Sequence, residues 1–391
     1  MPDNKNPLFR NIRPLYYLSR IMGLAPFSFS RNHETGEESI DTNLNSNVGG
    51  VIWTGIVFCV MVAGFIYTKM RYQLDRIMHP GEAVNNAFSF PMNFIVALAA
   101  LINMLLNRTK FPKFFNKLNS VDVKLSKYRE ENCCIFVDAV VVLVVFVLTS
   151  YDTWVSQKGL IVIHDVVYRL AYLIGLLTVV QFCKLVNLIE RRILVLNKAL
   201  TFIIQDHFTD VESISSCHFD VSTVTKSSVE IDELQILNLR IAYNEIYEAS
   251  KLVTSLYGFP VLLLIIRTSI ALVTNVHGLI WSPDPVLDHN KEYFESLPVW
   301  VATFLGMLVA MTLSCQMAML ESKEVGDQVQ KLLLWQPLVG NNMEQLKLFC
   351  MQVSSNRIEF TAFWFFTVDL SLLCTILASA TTYIVILVQF K

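Results

Sequence analysis

The sequence predicts an all-α membrane protein: seven transmembrane helices, a cytosolic N-terminus, an extracellular C-terminus, and long helices that leave the bilayer to form a cytosolic anchor bundle. Three observations carry this prediction. Of the 391 residues, 53% are hydrophobic and the mean hydropathy is +0.47, more apolar surface than a soluble core of this size uses. Seven apolar stretches reach the roughly 20 residues needed to cross about 30 Å of hydrocarbon. Lys and Arg also concentrate in alternate connections, as they do where cationic loops stay on the cytoplasmic side.

The stretches are 48–68, 84–106, 133–154, 161–188, 252–277, 299–320 and 359–390. About 22 Lys and Arg fall in the N-terminal tail and the 107–132, 189–251 and 321–358 loops, against about 6 on the other side. Seven spans from a cytosolic N-terminus leave the C-terminus outside, opposite to a G-protein-coupled receptor. The first forty residues lack the apolar core and cleavage site of a signal peptide, which agrees with a cytosolic start. The chain divides into a cytosolic segment at 1–47, spans one to six within 48–320, anchor helices at 189–251 and 321–358, and a last helix at 359–391.

A net charge of -2 and pI near 6.4 give no nucleic-acid footprint. On this topology all eight cysteines fall within spans or cytosolic segments, where an extracellular disulfide is not available. The sequon Asn107-Arg108-Thr109 lies on the cytosolic side and is a chance match.

Beyond the fourth span, Leu185, Leu188, Ile189, Ile193, Leu196, Leu200 and Ile203 recur at steps of three and four, an amphipathic helix leaving the membrane. The polar stretch from Asp206 to Ser228 predicts a disordered loop, after which Ile231, Leu234, Leu237 and Ile241 restart the stripe. The sixth span continues likewise, with Val325, Val329, Leu332 and Leu333 opposite Glu324, Asp327 and Lys331. Pro337 and Gly340 end it. Asn341 and Glu344 form a capping box for a short helix through Leu346, Phe349 and Val353, which stops at Ser354, Ser355 and Asn356. Amphipathic helices in water must bury their stripes, and a helical bundle that joins subunits would do so.

At 100° per residue, Thr367, Ser371, Thr375, Ala378, Ser379, Thr382, Ile386 and Gln389 lie within an arc of about 120°. Such a stripe either packs closely within one subunit or lines a wet path between subunits. Gln389 favours the wet path, since a primary amide near the membrane edge is better solvated at a pore mouth than against lipid. Ile386 is the bulky apolar residue of the stripe. It either packs against a neighbour or, as a ring, closes a pore by expelling water.

Thr382-Tyr383, five apolar residues, then Gln389-Phe390 match in full the TYhhhhhQF signature of insect gustatory receptors, to which the chain is similar. The segment from Tyr17 to Phe27 resembles that family's opening helix, as Thr361 to Leu373 resembles the approach to its last span. Odorant receptors share a degenerate form of the signature's end. The resemblance covers the whole topology. It implies a tetramer with a central pore: a ligand-gated, non-selective cation channel opened by an extracellular tastant, homomeric or combined with related receptors, in the plasma membrane of sensory neurons. It further implies a gate at Ile386 and Gln389 with Phe390 beside it, and leaves Thr382 in the pore or in packing. Tyr383 lies off the stripe and is expected to pack against other helices.

The outer halves of the spans supply ligand-binding candidates: Asp152 and Trp154, then His164, Asp165, Tyr168 and Arg169, then Arg267, then Trp300. Asp165 and Arg169 could instead neutralise each other at i, i+4, and the two Trp could be interfacial belt residues. Arg267 is deepest, and an isolated guanidinium there needs water or a counter-ion. Carboxylates, Tyr168 and Trp154 suit a sugar; Phe88, Met92 and Phe94 suit a larger, more apolar bitter compound. The other readings are an odorant-receptor-type channel and a secondary transporter, the latter opposed by the lack of internal repeats and of Gly- or Pro-broken helix pairs in corresponding positions. The sequence holds no metal-ligand spacing, nucleophile elbow or phosphate loop, so neither cofactor nor enzymatic activity is expected.

Overall fold

The computed structural model describes residues 7–31, 38–41, 44–74, 80–128, 163–215, 233–280, 291–335 and 341–389. Among these, helix dominates: α1 (Pro7–Ile21), α2 (Leu44–Leu74), α3 (Pro80–Leu106), α4 (Lys110–Lys124), α5 (Ile163–Ser215), α6 (Glu233–Ile280), α7 (Lys291–Trp335), α8 (Asn341–Ser355) and α9 (Leu370–Gln389). Strands β1 (Ser28–Arg31) and β2 (Glu38–Asp41) pair antiparallel, with Ser28 opposite Asp41. A short hairpin, β3 (Thr361–Ala362) and β4 (Phe366–Thr367), joins α8 to α9.

Helix α1 ends in a left-handed Gly23 at φ 74. There the Leu24 N–H reaches the Ser19 carbonyl at 2.8 Å and the Gly23 N–H reaches that of Arg20 at 3.1 Å, the paired bonds of a Schellman stop. The stop is also a dock, because Thr54 Oγ1 donates to the Gly23 carbonyl at 2.9 Å and Trp53 Nε1 donates to that of Ile21 at 2.8 Å. Both donors sit on α2, so the opening segment is fixed to the first long apolar helix.

Among the described residues, four helices contain stretches long and apolar enough to cross a membrane: Val48–Met70, Val166–Gln205, Leu234–Val276 and Leu297–Leu334. A fifth crossing would join Pro91–Leu106 to Lys110–Lys124 across a bend of 68°. The predicted span at 133–154 lies outside the described residues. The 107–132 segment, expected as a loop, contains α4. Its charges disguise a stripe of Phe111, Phe114, Phe115, Leu118 and Val121, all buried. Arg192 holds α4 to α5 through a nearly buried bidentate pair with Asp122, Nη2 to Oδ2 at 2.9 Å and Nε to Oδ1 at 3.1 Å. Lys117 reaches Glu245 on α6 at 2.8 Å.

Helix α5 carries every member of its predicted stripe, from Leu185 to Ile203, into the core. It continues to Ser215, past the Asp206 at which disorder was expected; 216–232 lie outside the described residues. Val325, Val329 and Leu332 of α7, and Leu346, Phe349 and Val353 of α8, are buried in the same cluster. Helix α6 corrects the phase of its prediction. Ile236, Leu239, Ala242, Tyr243 and Ile246 face the core, whereas Leu234 is exposed. Weighing aliphatic side chains alone misses a stripe continued by Ala242 and by Tyr243, which packs on Phe349 and donates to the Asn356 carbonyl at 2.8 Å. The stripes of α5 to α8 therefore bury one another within a single chain.

The last predicted span is shorter than expected. Residues 359–369 are not helical, because Asp369 accepts from the Leu372 N–H at 2.9 Å and starts α9 one residue later. Thr367, placed on the stripe by periodicity, belongs to β4 and turns its hydroxyl to Asp369 at 3.3 Å.

Candidate functional site

Side by side, α5, α6 and α7 build an aromatic box around Arg267 in the half of the bundle nearest the α6–α7 connection. Arg267 is 2% exposed. Its guanidinium carbon lies 5.0 Å from the Tyr172 ring centre and 5.1 Å from that of Phe304. Trp300 completes the wall, stacked on Phe304 at 5.8 Å and edge-on to Tyr172 at 5.2 Å. Met307, Leu176 and Ala271 close its apolar side.

Guanidinium suits such a box because it is planar, weakly hydrated and attracted to ring faces. Ring faces do not satisfy N–H groups, however. Both terminal nitrogens of Arg267 and the Tyr172 hydroxyl are buried without a hydrogen-bond partner among the described residues. A buried unsatisfied donor costs about 1–3 kcal/mol, more if charged. Three buried donors on two residues in ring contact therefore lie without an acceptor among the described residues, an arrangement suited to a small molecule with a flat apolar face and a carbonyl, hydroxyl or carboxylate oxygen. Gly175 lines the same level of α5, with Arg267 Nη1 3.7 Å from where its Cβ would stand.

Of the sequence candidates, the structure brings Arg267 and Trp300 into one box through Tyr172 and Phe304. Tyr168 and Arg169, one turn and nearly one turn before Tyr172, are half-buried. His164 and Asp165 lie in the first turn of α5, and their side chains, like Asp152 and Trp154, are outside the described residues. Phe94 does not line this box; it is buried against Phe65 of α2 at 5.3 Å. Tyr172 and Phe304 escaped sequence analysis, although each follows a candidate, Tyr168 or Trp300, by one helical turn. Among the described residues no cluster of three or more His, Cys, Asp or Glu could hold a metal ion.

The second candidate site is the face of α9. Leu372, Leu373 and Ile376 pack against the chain's own core and Ala380 is buried. On the opposite side Ser371, Thr375, Ala378, Ser379, Thr382 and Gln389 are exposed, and Ile386 is 43% exposed. Thr375 and Thr382 donate to the carbonyls of Ser371 and Ala378 at 2.8 and 2.9 Å, so each hydroxyl oxygen keeps its capacity to accept. Tyr383, expected to pack, is 55% exposed. Phe390 lies outside the described residues.

The model of the 7tm chemosensory receptor family matches residues 12–391. Gustatory receptor 28b of Drosophila melanogaster is 24% identical over 98% of this chain and 86% of its own length; gustatory receptor 2a of the same species is 25% identical over 44% and 45%. The structure of olfactory receptor OR5 from Machilis hrabei superposes with a TM-score of 0.69 at 14% identity, covering 98% of this chain and 99% of that one. OR5 in complex with eugenol gives 0.66 at 13% identity, covering 97% and 98%. With a family match over nearly its full length and a solved relative sharing its helix arrangement, the chain belongs to the 7tm chemosensory receptor family, whose members are multi-pass membrane receptors.

Proposed function

We propose that the protein is a gustatory receptor acting as a ligand-gated, non-selective cation channel, with four copies of α9 around a central pore and an extracellular small-molecule tastant as the opener. The observation that carries this reading is the hydroxyl-bearing face of α9, which the chain's own core leaves uncovered while the opposite face packs. In a bilayer, hydroxyls and a primary amide aligned on one exposed face are better placed against water than against lipid. Ile386 and Gln389, near the end of that face, form the gate, with Phe390 beside it. The stripe has no acidic residue, consistent with weak discrimination among cations. At the far end of the bundle the exposed Leu334, Leu348 and Met351 supply the apolar surface that joins subunits.

The tastant binds at the Arg267 box. Acceptor oxygens on the ligand satisfy Nη1, Nη2 and the Tyr172 hydroxyl, and Trp300 and Phe304 cover its apolar face. Eugenol, bound in the OR5 structure, shows that a protein of this fold takes a small aromatic molecule. The test is expression alone in oocytes with G-protein signalling blocked, during perfusion with sugars, alkaloids and amino acids. Inward current within milliseconds of one class supports the channel and names the ligand; a response that disappears under the block refutes it.

A further inference from the structure

The hairpin between α8 and α9 ends in an unusual tip. Its turn, Ala362-Phe363-Trp364-Phe365, is closed by the Phe365 N–H donating to the Ala362 carbonyl at 3.1 Å. Phe363 and Trp364 both sit at positive φ, 49° and 66°, the left-handed pair that hairpins normally fill with Asn-Gly. Bulky aromatics are strained there, and strain of this kind persists where side chains are needed in place. What the turn achieves is presentation: Phe363, Trp364 and Phe365 are 49%, 77% and 73% exposed.

The hairpin root is firm. Ile358, Phe360 and Ala362 are buried, and the Val368 N–H donates to the Phe360 carbonyl at 2.8 Å. Gly258 of α6 lets the tip approach, since a Cβ there would stand 3.1 Å from the Phe363 nitrogen. One residue on, Phe259, 41% exposed, meets the Phe363 ring edge-on at 5.5 Å. The tip thus continues the exposed face of the apolar Leu234–Val276 stretch. Beside it lies the polar cap of α9, where Ser371 Oγ reaches Asp369 at 2.6 Å, and the exposed Glu359 on the approach to β3. Apolar surface continuous with a membrane-crossing helix, level with a carboxylate cap, describes the headgroup boundary.

We propose that Phe363, Trp364 and Phe365 seat in the phospholipid headgroup region and fix the level at which α9 enters the bilayer. Trp is enriched at that boundary because an amphipathic ring with one N–H suits a zone both apolar and wet. Fixing the start of α9 sets the height of its polar stripe, so the proposal rests on the membrane reading of the family but not on the pore.

The test uses unmodified protein in nanodiscs containing a phosphatidylcholine with a photoactivated diazirine, either near the glycerol or at the acyl terminus. Adducts are located by fragment mass spectrometry. The glycerol-level probe should label Phe363 to Phe365 and the acyl-end probe should not, while the exposed α2 residues Ile56 and Val60 take the acyl-end label. Tip labelling by the acyl-end probe alone, a cross-link from the tip to a second copy, or an unlabelled tip beside a labelled α2 each overturns the anchor. An unlabelled α2 removes the membrane reading beneath it. In vesicles with shallow-brominated lipid, wild type minus Trp364→Phe should isolate a quenched emission component; an unquenched one overturns the proposal independently.

Discussion

Arg267 and Tyr172 face each other at 5.0 Å across the α5–α6 seam, ring under guanidinium, both buried and both with hydrogen-bonding groups that no described residue satisfies. Two orphaned groups in contact are costly to a fold and useful to a binding site, because a ligand that supplies acceptors recovers what folding left unmet. Arg267→Met separates the two roles. It keeps the stem and removes the buried charge, so the fold should hold or gain up to about 1–4 kcal/mol, as when buried ionic groups give way to apolar ones. The evoked current should fall at least about tenfold in apparent affinity, the equivalent of about 1.4 kcal/mol. Thermal unfolding in detergent and dose–response recording read the two effects.

The pair of Asp122 and Arg192 is a contrasting case, a nearly buried charge met by its carboxylate partner and by the Leu188 carbonyl, which Arg192 Nη1 reaches at 3.1 Å. Asp122→Ala should destabilise by about 3–5 kcal/mol because it strands the guanidinium, while Asp122→Ala with Arg192→Met should recover much of that loss. Thermal melts of the single and double variants decide it. If the double variant is no better than the single, α4 is held by its Phe111 to Val121 stripe and not by the pair.

Gly64 lies at a close approach of α2 to α5. A Cβ at that position would stand 2.2 Å from Val167 Cγ1, and a β-branched side chain cannot swing aside. Gly64→Ala should therefore cost about 1–3 kcal/mol through overpacking, and adding Val167→Ala should return most of it. Rescue in a double-mutant cycle of unfolding midpoints is the decisive readout.

Asp369 caps α9, and its ionisation follows from that role. Burial alone would raise its pKa. Hydrogen bonds from Ser371 Oγ, the Leu372 N–H and Thr367 Oγ1 outweigh burial and hold it below the ordinary carboxylate value. Because the folded pKa is the lower one, the cap's contribution is complete above about pH 3.9, the unfolded value, and is lost as pH falls through the folded value. Asp369→Ala should cost about 1 kcal/mol at neutral pH. The difference from wild type should shrink only under strongly acid conditions, as melts across pH will show.

The fold was legible where one helical face is plainly aliphatic. Leu185 to Ile203 and Val325 to Leu332 are buried as their spacing predicts, and α8 stops at Ser355, within the polar run predicted to end it. It was illegible where composition disguises geometry. Four Lys among the residues of α4 make its Phe stripe read as a loop, and a run of aromatics around Trp364 reads as membrane span although the backbone turns back on itself. Arg267 stood out because guanidinium in an apolar stretch is rare. Its partners did not, since Tyr172 and Phe304 have the composition of ordinary membrane helix and acquire meaning only when α5, α6 and α7 lie side by side.

Ile386 offers the most direct test of the pore. It is 43% exposed on the side of α9 that carries Thr382 and Gln389, so shortening it removes little packing within the chain. A ring of Ile at a narrow point excludes water, and a ring of Ala leaves it wide enough to stay wet. Ile386→Ala should raise ligand-free current several-fold at equal surface expression and leave thermal stability near that of wild type. Val385→Ala is the matched control: Val385 is 49% exposed but lies about 100° around the helix from Ile386, so equal truncation there should leave the resting current unchanged. Leak from both variants would mean that loosening any part of α9 opens the channel, and leak from neither, in protein delivered to the surface, would take the gate away from Ile386.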